Sequence, residues 1–238
     1  MKKIHRFIIH QPLPEGGGVL EVADRPLLHQ LTRVLRFGIN DQLVLCDGQG
    51  NEAEGTVLEI TPKRVLVALS QPYPVTTEPA GKLHLYAALI RPELFEFIVQ
   101  KTTELGVTSI TPLITERTVR IGFKRPRLEL IAQEAAELSG RGIVPTLFEP
   151  LVLSDIFSSV TAARVWCIAD QGGEPVSQVL TSAVSEVALL IGPEGGWTDR
   201  ERAHAEEVGM RRITLGTTML RAETAAVAGC FAALSALH

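Results

Sequence analysis

The sequence has few of the residues that mark disulfide-rich or metal-binding proteins. Its 238 residues include three cysteines, Cys46, Cys167 and Cys230, and none of them forms a Cys-x-x-Cys pair. This spacing argues against a disulfide framework and against a zinc site, and it favours a reducing compartment. The six histidines show no metal-ligand spacing. We therefore predict a cytoplasmic protein with no bound metal.

Long apolar runs are also lacking. The longest nearly uncharged stretch is AAVAGCFAALSAL (225–237), which is too short and too rich in small residues to span a bilayer. The first residues show no charged segment followed by an apolar one, so we expect no signal peptide. The sequence thus predicts no membrane partner.

Charge is nearly balanced overall but uneven along the chain. The formal net charge of −4 gives no support for nucleic-acid binding, yet residues 117–127 (RTVRIGFKRPR) hold five basic residues and no acid. The first forty residues carry six Lys or Arg against three acids. Such patches can bind a phosphate backbone on an acidic protein, and a solvated charged surface is the alternative. The candidate RNA contacts are Arg6, Arg33, Arg36, Arg117, Arg120, Lys124, Arg125, Arg127 and Arg141.

The first seventy residues are typical of a small β domain. We expect a strand over 6–10, and apolar residues at helical spacing predict a helix over 27–37 that stops before Gly38. Two alternating runs then flank the turn sequence DGQG (47–50). The proline-rich stretch that follows is the best linker in the chain. We predict a β domain over 1–72, a linker over 73–81 and a second domain over 82–238.

The second domain alternates between strand and helix patterns. A helix over 92–106 begins with proline and ends at glycine, and TDRERAHAEEVG opens with a capping box between Thr198 and Glu201. A strand over 165–170 is followed by a loop and a helix to about residue 184. Strands alternating with helices predict a parallel sheet covered on both faces.

Glycine-rich segments follow three of the predicted strands. They are DQGG (170–173), GPEGG (192–196) and LGTTMLRAETA (215–225). Ligands of open parallel sheets bind at the carboxyl ends of strands, where glycine lets backbone approach the ligand. Three such segments at strand ends therefore favour a binding cleft over plain turns.

A fourth segment, LVLCDGQG (43–50), looks like the strand and glycine loop of a Rossmann nucleotide site. That interpretation requires a helix directly after the loop. The chain instead continues with the alternating run NEAEGTVLEI. A hairpin turn is therefore favoured.

LLIGPEGGWTDRE (189–201) together with RRITLGTTMLRAETA (211–225) resembles the C-terminal signature of the RsmE family. These SPOUT-superfamily enzymes use S-adenosylmethionine to methylate N3 of a uridine in 16S ribosomal RNA. HQLTRVLRFGINDQLVLCDGQG is similar to the family's N-terminal PUA-like domain, and KTTELGVTSITPLITERTV and PRLELIAQEAAELSGRGIVP are similar to segments of its catalytic domain. The resemblance covers most of the chain.

The resemblance implies an α/β fold in which a SPOUT-type parallel sheet carries a trefoil knot and a small PUA-like β-barrel precedes it. It also implies a homodimer in which two subunits complete the site, and small-subunit ribosomal RNA or the assembled subunit as partner. S-adenosylmethionine would be held by the GPEGG and LGTTMLR loops. The implied cofactor contacts are Leu190, Ile191, Gly192, Pro193, Gly195, Gly196, Leu215, Gly216, Met219, Leu220, Arg221, Thr224 and Ala225.

Methyl transfer to uridine N3 requires alignment of the reacting atoms and removal of the N3 proton. The candidates near the loops are Arg221, Glu223 and Glu194. Arg221 would stabilise negative charge on the base or hold a phosphate, and the alternatives are an ion pair with Glu223 or a helix cap. Glu194 either accepts backbone hydrogen bonds that order its loop, which we favour, or forms part of the surroundings of the methyl group.

Other functions stay open at this point. A non-catalytic ribosome-assembly factor, a SPOUT methyltransferase acting on another RNA, and an α/β enzyme for a small acidic metabolite would each have glycine loops of this kind. The intact GPEGG and LRAETA segments favour an active methyltransferase, because loss of activity would erode cofactor loops first. The third alternative leaves the N-terminal β domain without a role.

Overall fold

The computed structural model describes residues 4–119, 122–181 and 183–237. The chain divides into two compact units. The first comprises Met1–Glu78 and Ala136–Val144, and the second comprises Pro79–Ala135 and Pro145–His238.

The first unit is built on a six-stranded sheet. Its strands are β1 (His5–Ile8), β2 (Gly18–Val22), β3 (Gln42–Cys46), β4 (Asn51–Ile60), β5 (Val65–Leu69) and β6 (Tyr73–Pro74), in the order β1-β3-β4-β5-β2 with β6 paired to β4. β3 and β4 are antiparallel, with Cys46 opposite Glu52. The predicted hairpin is therefore confirmed, and the Rossmann interpretation of the DGQG segment is excluded.

The helix of this unit starts earlier than predicted and changes from α-helical to π-helical geometry along its length. Asp24 caps α1 (Arg25–His29) by accepting a hydrogen bond from the Leu27 amide at 2.8 Å. The chain then continues as a π-helical segment, Gln30–Val34, that ends before the predicted residue 37. Leu27 and Leu31 are buried, as their spacing predicted.

The second chain segment of this unit, Ala136–Val144, is hydrogen-bonded to Glu78. The Arg141 guanidinium is paired with the Glu78 carboxylate at 2.9 Å, and the amides of Gly142 and Ile143 donate to the same carboxylate at 3.1 Å each. The Arg141 side chain is only 4% exposed. Charge-assisted hydrogen bonds of this kind hold residues 141–143 in place.

The second unit contains a seven-stranded sheet in which every described pairing is parallel. Its strands are β7 (Lys82–Ala88), β8 (Ser109–Ile114), β9 (Thr146–Leu147), β10 (Leu151–Val152), β11 (Val165–Pro175), β12 (Glu186–Ile191) and β13 (Arg211–Thr214). The order is β10-β8-β7-β12-β11-β13, with β9 beside β8. The predicted parallel sheet is confirmed.

The helices of the second part of the chain follow the predicted alternation. They are α2 (Pro92–Leu105), α3 (Arg125–Ser139), α4 (Leu153–Phe157), α5 (Val176–Val179), α6 (Asp199–Glu207) and α7 (Ala222–Ala236). α2 ends at Gly106, whose φ of 106° is a left-handed conformation that suits glycine. α6 begins with the predicted capping box between Thr198 and Glu201. α7 packs against α2, β7 and β12.

The region after residue 169 differs from the prediction. β11 does not end at Asp170; both Ala169 and Glu174 lie opposite Ile213 of β13, so the residues between them leave the ladder and the strand then resumes. The predicted helix to residue 184 is the short α5 alone. A β carbon on Gly173 would lie 2.6 Å from the backbone of Ile213, so close strand approach explains this glycine.

No described helix is both long enough and apolar enough to cross a membrane.

Candidate active site

A cavity of about 620 Å³ lies where β12 and β13 end and where the residues after Ala169 leave the β11 ladder; these three strands are neighbours in the sheet. The segments GPEGG and LGTTMLRAETA follow β12 and β13, whereas DQGG lies within β11. The lining residues are Ala169, Asp170, Gln171, Ile191, Gly192, Pro193, Glu194, Gly195, Gly196, Trp197, Asp199, Arg202, Arg212, Thr214, Leu215, Gly216, Thr218, Met219, Leu220, Arg221, Ala222 and Ala225. A cavity of this size suits a small molecule or cofactor.

The GPEGG loop is a tight turn. The Gly196 amide donates to the Pro193 carbonyl at 2.8 Å, and Gly196 has a φ of 66°. The amides of Glu194 and Gly195 donate to no acceptor within the described ranges, although both residues line the cavity. The loop therefore offers unpaired backbone donors to a ligand.

Trp197 packs beneath this loop and was not predicted as a site residue. Its side chain is 1% exposed, and its indole Nε1 donates to the Ala169 carbonyl of β11 at 2.8 Å. A β carbon on Gly192 would lie 3.0 Å from the indole ring. The tryptophan thus joins the ends of β11 and β12 and explains the glycine at 192. Its adjacency to GPEGG was the only signal in the sequence.

Arg117 contacts the same loop from the segment that follows β8. Its guanidinium donates to the Gly195 carbonyl and, at 3.3 Å, to the Trp197 carbonyl. Arg117 was predicted to contact RNA, but these bonds give it a role in ordering the loop. Glu194, which we expected to order the loop, is exposed and its carboxylate makes no hydrogen bond within the described residues. That preferred interpretation of Glu194 was therefore wrong, because the hydrogen bonds that order the loop come from Arg117 and from the Gly196 amide.

Ion pairs neutralise most of the charge on the cavity wall. The Arg202 guanidinium is bonded to Asp170 at 2.7 Å and to Asp199 at 2.8 Å. Arg212 lies 3.5 Å from the Glu206 carboxylate. Of these pairs, only that between Asp170 and Arg202 joins residues far apart in the sequence, 32 positions from each other. A cavity with paired arginines is poorly suited to a polyphosphate.

The LGTTMLR loop forms the opposite wall. Gly216 has a φ of 135°, and the Thr214 hydroxyl donates to its carbonyl at 2.9 Å. Met219 is 78% exposed at the cavity. Leu190 and Thr224 were predicted to contact the cofactor but do not line the cavity. Leu190 is fully buried in the core below, and Thr224 faces solvent on α7.

Arg221 and Glu223 occupy different surroundings at the start of α7. Arg221 lines the cavity, is exposed, and makes no ion pair within the described part of the chain. Glu223 does not line the cavity, and one of its carboxylate oxygens is buried with no hydrogen-bond partner among the described residues. The alternative of an Arg221–Glu223 ion pair is therefore wrong. The position of Glu223 gives no support to its predicted catalytic role.

Several predicted RNA contacts are occupied by intramolecular partners. Arg6 is bonded to Glu52 and to the Gly140 carbonyl, Arg125 to Glu129 and Glu149, Arg127 to Glu96, and Arg141 to Glu78. Burial and pairing argue against an RNA contact for Arg141 in particular. Arg33, Arg36 and Lys124 make no ion pair with any described residue, and Arg33 and Arg36 are exposed. Arg120 lies outside the described residues.

The cysteines are unsuited to nucleophilic chemistry. All three are buried, and burial raises the pKa of the Cys46 and Cys167 thiols to about 12 and that of Cys230 further still. The reactive form of cysteine is the thiolate, which burial therefore suppresses. No group of three His, Cys, Asp or Glu side chains able to hold a metal occurs among residues 4–119, 122–181 and 183–237.

Comparison with known proteins gives a consistent set of relatives. Residues 76–236 match the model of the RNA methyltransferase domain, and residues 28–70 match that of the RNA methyltransferase PUA domain. The ribosomal RNA small subunit methyltransferase E of Synechocystis is 33% identical over 83% of this chain and 67% of its own length. The protein of the same name from Rickettsia conorii is 29% identical over 94% of this chain and 93% of its own.

Solved structures agree with these matches. The ribosomal RNA small subunit methyltransferase E of Neisseria gonorrhoeae, bound to S-adenosyl methionine, has a TM-score of 0.87 at 26% identity and covers 96% of this chain and 95% of its own. A Legionella pneumophila protein in complex with the same cofactor has a TM-score of 0.85 at 28% identity, covering 99% and 97%. The resemblance seen in the glycine loops is thereby confirmed across both units, and the chain belongs to the RsmE family of RNA methyltransferases.

Proposed function

We propose that the chain transfers a methyl group from S-adenosylmethionine to N3 of a uridine in small-subunit ribosomal RNA. The observation that carries this proposal is the cavity at the ends of β12 and β13 and at the break in β11, formed by the GPEGG and LGTTMLR loops of a chain that belongs to the RsmE family. Relatives from two organisms were solved with this cofactor. The N-terminal unit would bind RNA, and the C-terminal unit would carry the reaction.

The residues around the cavity fit this cofactor. Unpaired amides at Glu194 and Gly195 can donate to its polar groups, and Ile191, Leu215 and Leu220 offer apolar surface for an adenine ring. The paired arginines leave little net positive charge to oppose a cation. S-adenosylmethionine supplies an electrophilic methyl group on a positively charged sulfur.

The chain's own contribution is alignment and charge stabilisation. The ordered GPEGG loop fixes one wall of the cavity, which keeps the reacting atoms in one geometry. Arg221, which lines the cavity and has no ion-pair partner among the described residues, stabilises the negative charge that uridine acquires when N3 loses its proton. Glu194, exposed at the cavity, lies where it can accept that proton.

The proposed RNA surface of the N-terminal unit is a basic groove beside α1. The groove has a volume of about 620 Å³ and is lined by Ala23, Arg25, Leu28, His29, Thr32, Arg33, Pro62 and Lys63. No acidic side chain is among these, and Arg25, Arg33 and Lys63 make no ion pair with any described residue. Neighbouring Arg64, by contrast, is paired with Glu21 and Glu59. Unpaired cations bind phosphates at lower cost than paired ones, so Arg25 and Lys63 join Arg33 as candidate contacts.

Homodimer formation is part of the proposal. Phe231 on α7 is 62% exposed and Met219 at the cavity is 78% exposed, so both offer apolar surface that a second subunit could cover. Analytical ultracentrifugation is expected to give twice the monomer mass. A Phe231→Glu variant is expected to shift the distribution towards monomer.

The reaction is tested by incubating the protein and S-adenosylmethionine with small subunits that lack the modification. Mass mapping of the RNA is expected to show one methyl group on N3 of a uridine. A methyl group on another base, or only on a different RNA, would reject the substrate assignment. Calorimetric titration with S-adenosylmethionine separates binding from catalysis: folded protein that binds without methylating any RNA would favour an assembly factor.

Arg221 is tested in the same assay. We expect Arg221→Ala to lower kcat about 100-fold, since loss of one charge-stabilising donor has an effect of that size. Arg200→Ala removes a cation that does not line the cavity and serves as the control. An Arg221→Ala enzyme that methylates at the full rate would remove Arg221 from the mechanism.

A further inference from the structure

We infer that Arg117 and Glu201 are positioning residues that hold the GPEGG loop in its cofactor-binding shape. Both act from outside the loop: Arg117 from the segment after β8, and Glu201 from the first turn of α6. The inference rests on the proposed function, because it assigns a role in S-adenosylmethionine binding to residues that do not line the cavity.

Arg117 satisfies the carbonyl ends of two peptide groups. Its guanidinium bonds to the carbonyls of Gly195 and Trp197, the second at 3.3 Å. A guanidinium suits this task because it presents several donors in one plane. A β carbon on Gly195 would lie 3.2 Å from the Arg117 side chain, so the aliphatic part of that side chain packs against the Gly195 backbone.

The amide ends of the same two peptide groups are satisfied as well. The Gly196 amide donates to Pro193 at 2.8 Å, and the Thr198 amide donates to the Glu201 carboxylate at 2.8 Å. Both polar ends of these peptide groups are therefore fixed, and neither group can rotate without breaking a bond. The bond from Gly196 also fixes the Pro193 carbonyl, whose peptide group carries the Glu194 amide. The Gly195 amide lies between these fixed groups, so both amides, unpaired within the described residues, are kept beside the cavity.

Glu201 also holds the turn that carries Arg117. Its second carboxylate oxygen accepts a hydrogen bond from the Glu116 amide at 2.9 Å, and its side chain is 5% exposed. Glu116 precedes Arg117 in a turn closed by Thr115 and Thr118, whose amide–hydroxyl bond measures 3.0 Å. One buried carboxylate thus anchors the turn that presents the guanidinium to the loop.

The test is a comparison of Arg117→Ala, Arg117→Lys and Lys124→Ala. Lys124 belongs to the same basic run but does not line the cavity. We expect Arg117→Ala to raise the Kd for S-adenosylmethionine about 10- to 100-fold, since it removes two charge-assisted bonds. Lysine can replace one of the two bonds and should give an intermediate value. The KM for the cofactor should rise in parallel, while kcat at saturating cofactor and the affinity for RNA stay within about threefold of wild type.

Lys124→Ala is expected to give the opposite pattern, with weaker RNA binding and an unchanged cofactor Kd. Glu201→Gln keeps an acceptor for the Thr198 amide but loses the second oxygen, so it should raise the cofactor Kd in the same direction by a smaller factor. Circular dichroism and thermal melting confirm that each variant is folded. Folded Arg117→Ala that binds the cofactor as tightly as wild type and loses RNA affinity would overturn the inference. Wild-type protein that binds no S-adenosylmethionine would instead reject the proposed function.

Discussion

The carboxyl edge of the parallel sheet forms its site from backbone, whereas the amino edge of the same sheet holds a row of interacting side chains. At the amino edge, His84 Nδ1 lies 2.7 Å from the Ser109 hydroxyl and His84 Nε2 lies 3.0 Å from the Glu186 carboxylate. Arg164 pairs with Glu186 as well. The carboxyl edge has glycine loops and a cavity instead.

The amino-edge row has the residue types of a hydrolytic triad but not its setting. Ser109 is 4% exposed, so its hydroxyl is closed to a substrate. A nucleophile must reach the reacting atom, and geometry decides this before residue type does. The comparison teaches that function in this fold follows the position of backbone loops more closely than the presence of reactive side chains.

The test with the largest expected effect alters the carboxyl edge of the parallel sheet. Gly173→Ala is expected to lower the free energy of unfolding by about 3 kcal/mol and to abolish cofactor binding, because the new methyl group would lie 2.6 to 2.7 Å from the backbone of Arg212 and Ile213. Urea unfolding and calorimetric titration measure the two effects. Gly122→Ala, which meets nothing within 4 Å, is the matched control and should change neither. Full cofactor affinity in Gly173→Ala would show that the β11–β13 contact does not shape the site.

The second test alters the amino edge. His84→Ala removes both hydrogen bonds of the row and leaves the buried Ser109 hydroxyl without that partner, so we expect a loss of about 1 to 3 kcal/mol in stability. Methylation at 25 °C should stay within twofold of wild type. The exposed His10 provides a control substitution that should affect neither quantity. A large loss of kcat in folded His84→Ala would break the contrast between the two edges.

The smallest effect concerns pH. Burial, followed by the charge of Arg164, lowers the pKa of His84 below its ordinary 6.5, and Glu186 only partly opposes this; Lys82 lowers it slightly. Below pH 6.5 the unfolded chain therefore binds a proton at His84 that the folded chain resists, and stability falls as pH falls. Above that pH His84 is neutral in both states and no longer affects stability. The loss at pH 5.5 is at most about 1.4 kcal/mol. Denaturant unfolding of wild type and His84→Ala at pH 7.5 and 5.5 should show a smaller decrease in the variant, and equal decreases would contradict the assignment.

Local signals in the sequence predicted much of the fold. Pro92 and Gly106 delimited α2, and Thr198 with Glu201 marked the start of α6, because caps and turns are set by neighbouring residues. Three glycine segments located the cavity before its shape was known. The trefoil knot and the dimer stay predictions from the family resemblance.

Contacts between distant residues escaped prediction. Arg117 and Gly195 are 78 positions apart, and the basic run around Arg117 indicated RNA rather than a loop carbonyl. The pairing of Arg6 with Glu52 likewise joins β1 to β4 across β3, two positions away from Glu54, which the register aligns with Arg6 through Val44. The extension of β11 past residue 170 depends on the backbone of β13, which no local pattern of DQGG reveals.

The residues of β11 that leave the ladder, between Ala169 and Glu174, form a wall of the cavity whose length can change. Ala169 and Glu174 both lie opposite Ile213, so the pairing of β11 with β13 stops at Ala169 and resumes at Glu174 with the same residue of β13. Residues added or removed between Asp170 and Gly172 would change the length of this wall without shifting the register on either side. The chain therefore has a place where insertions can reshape the cavity beside the cofactor loops while the sheet that supports them stays the same.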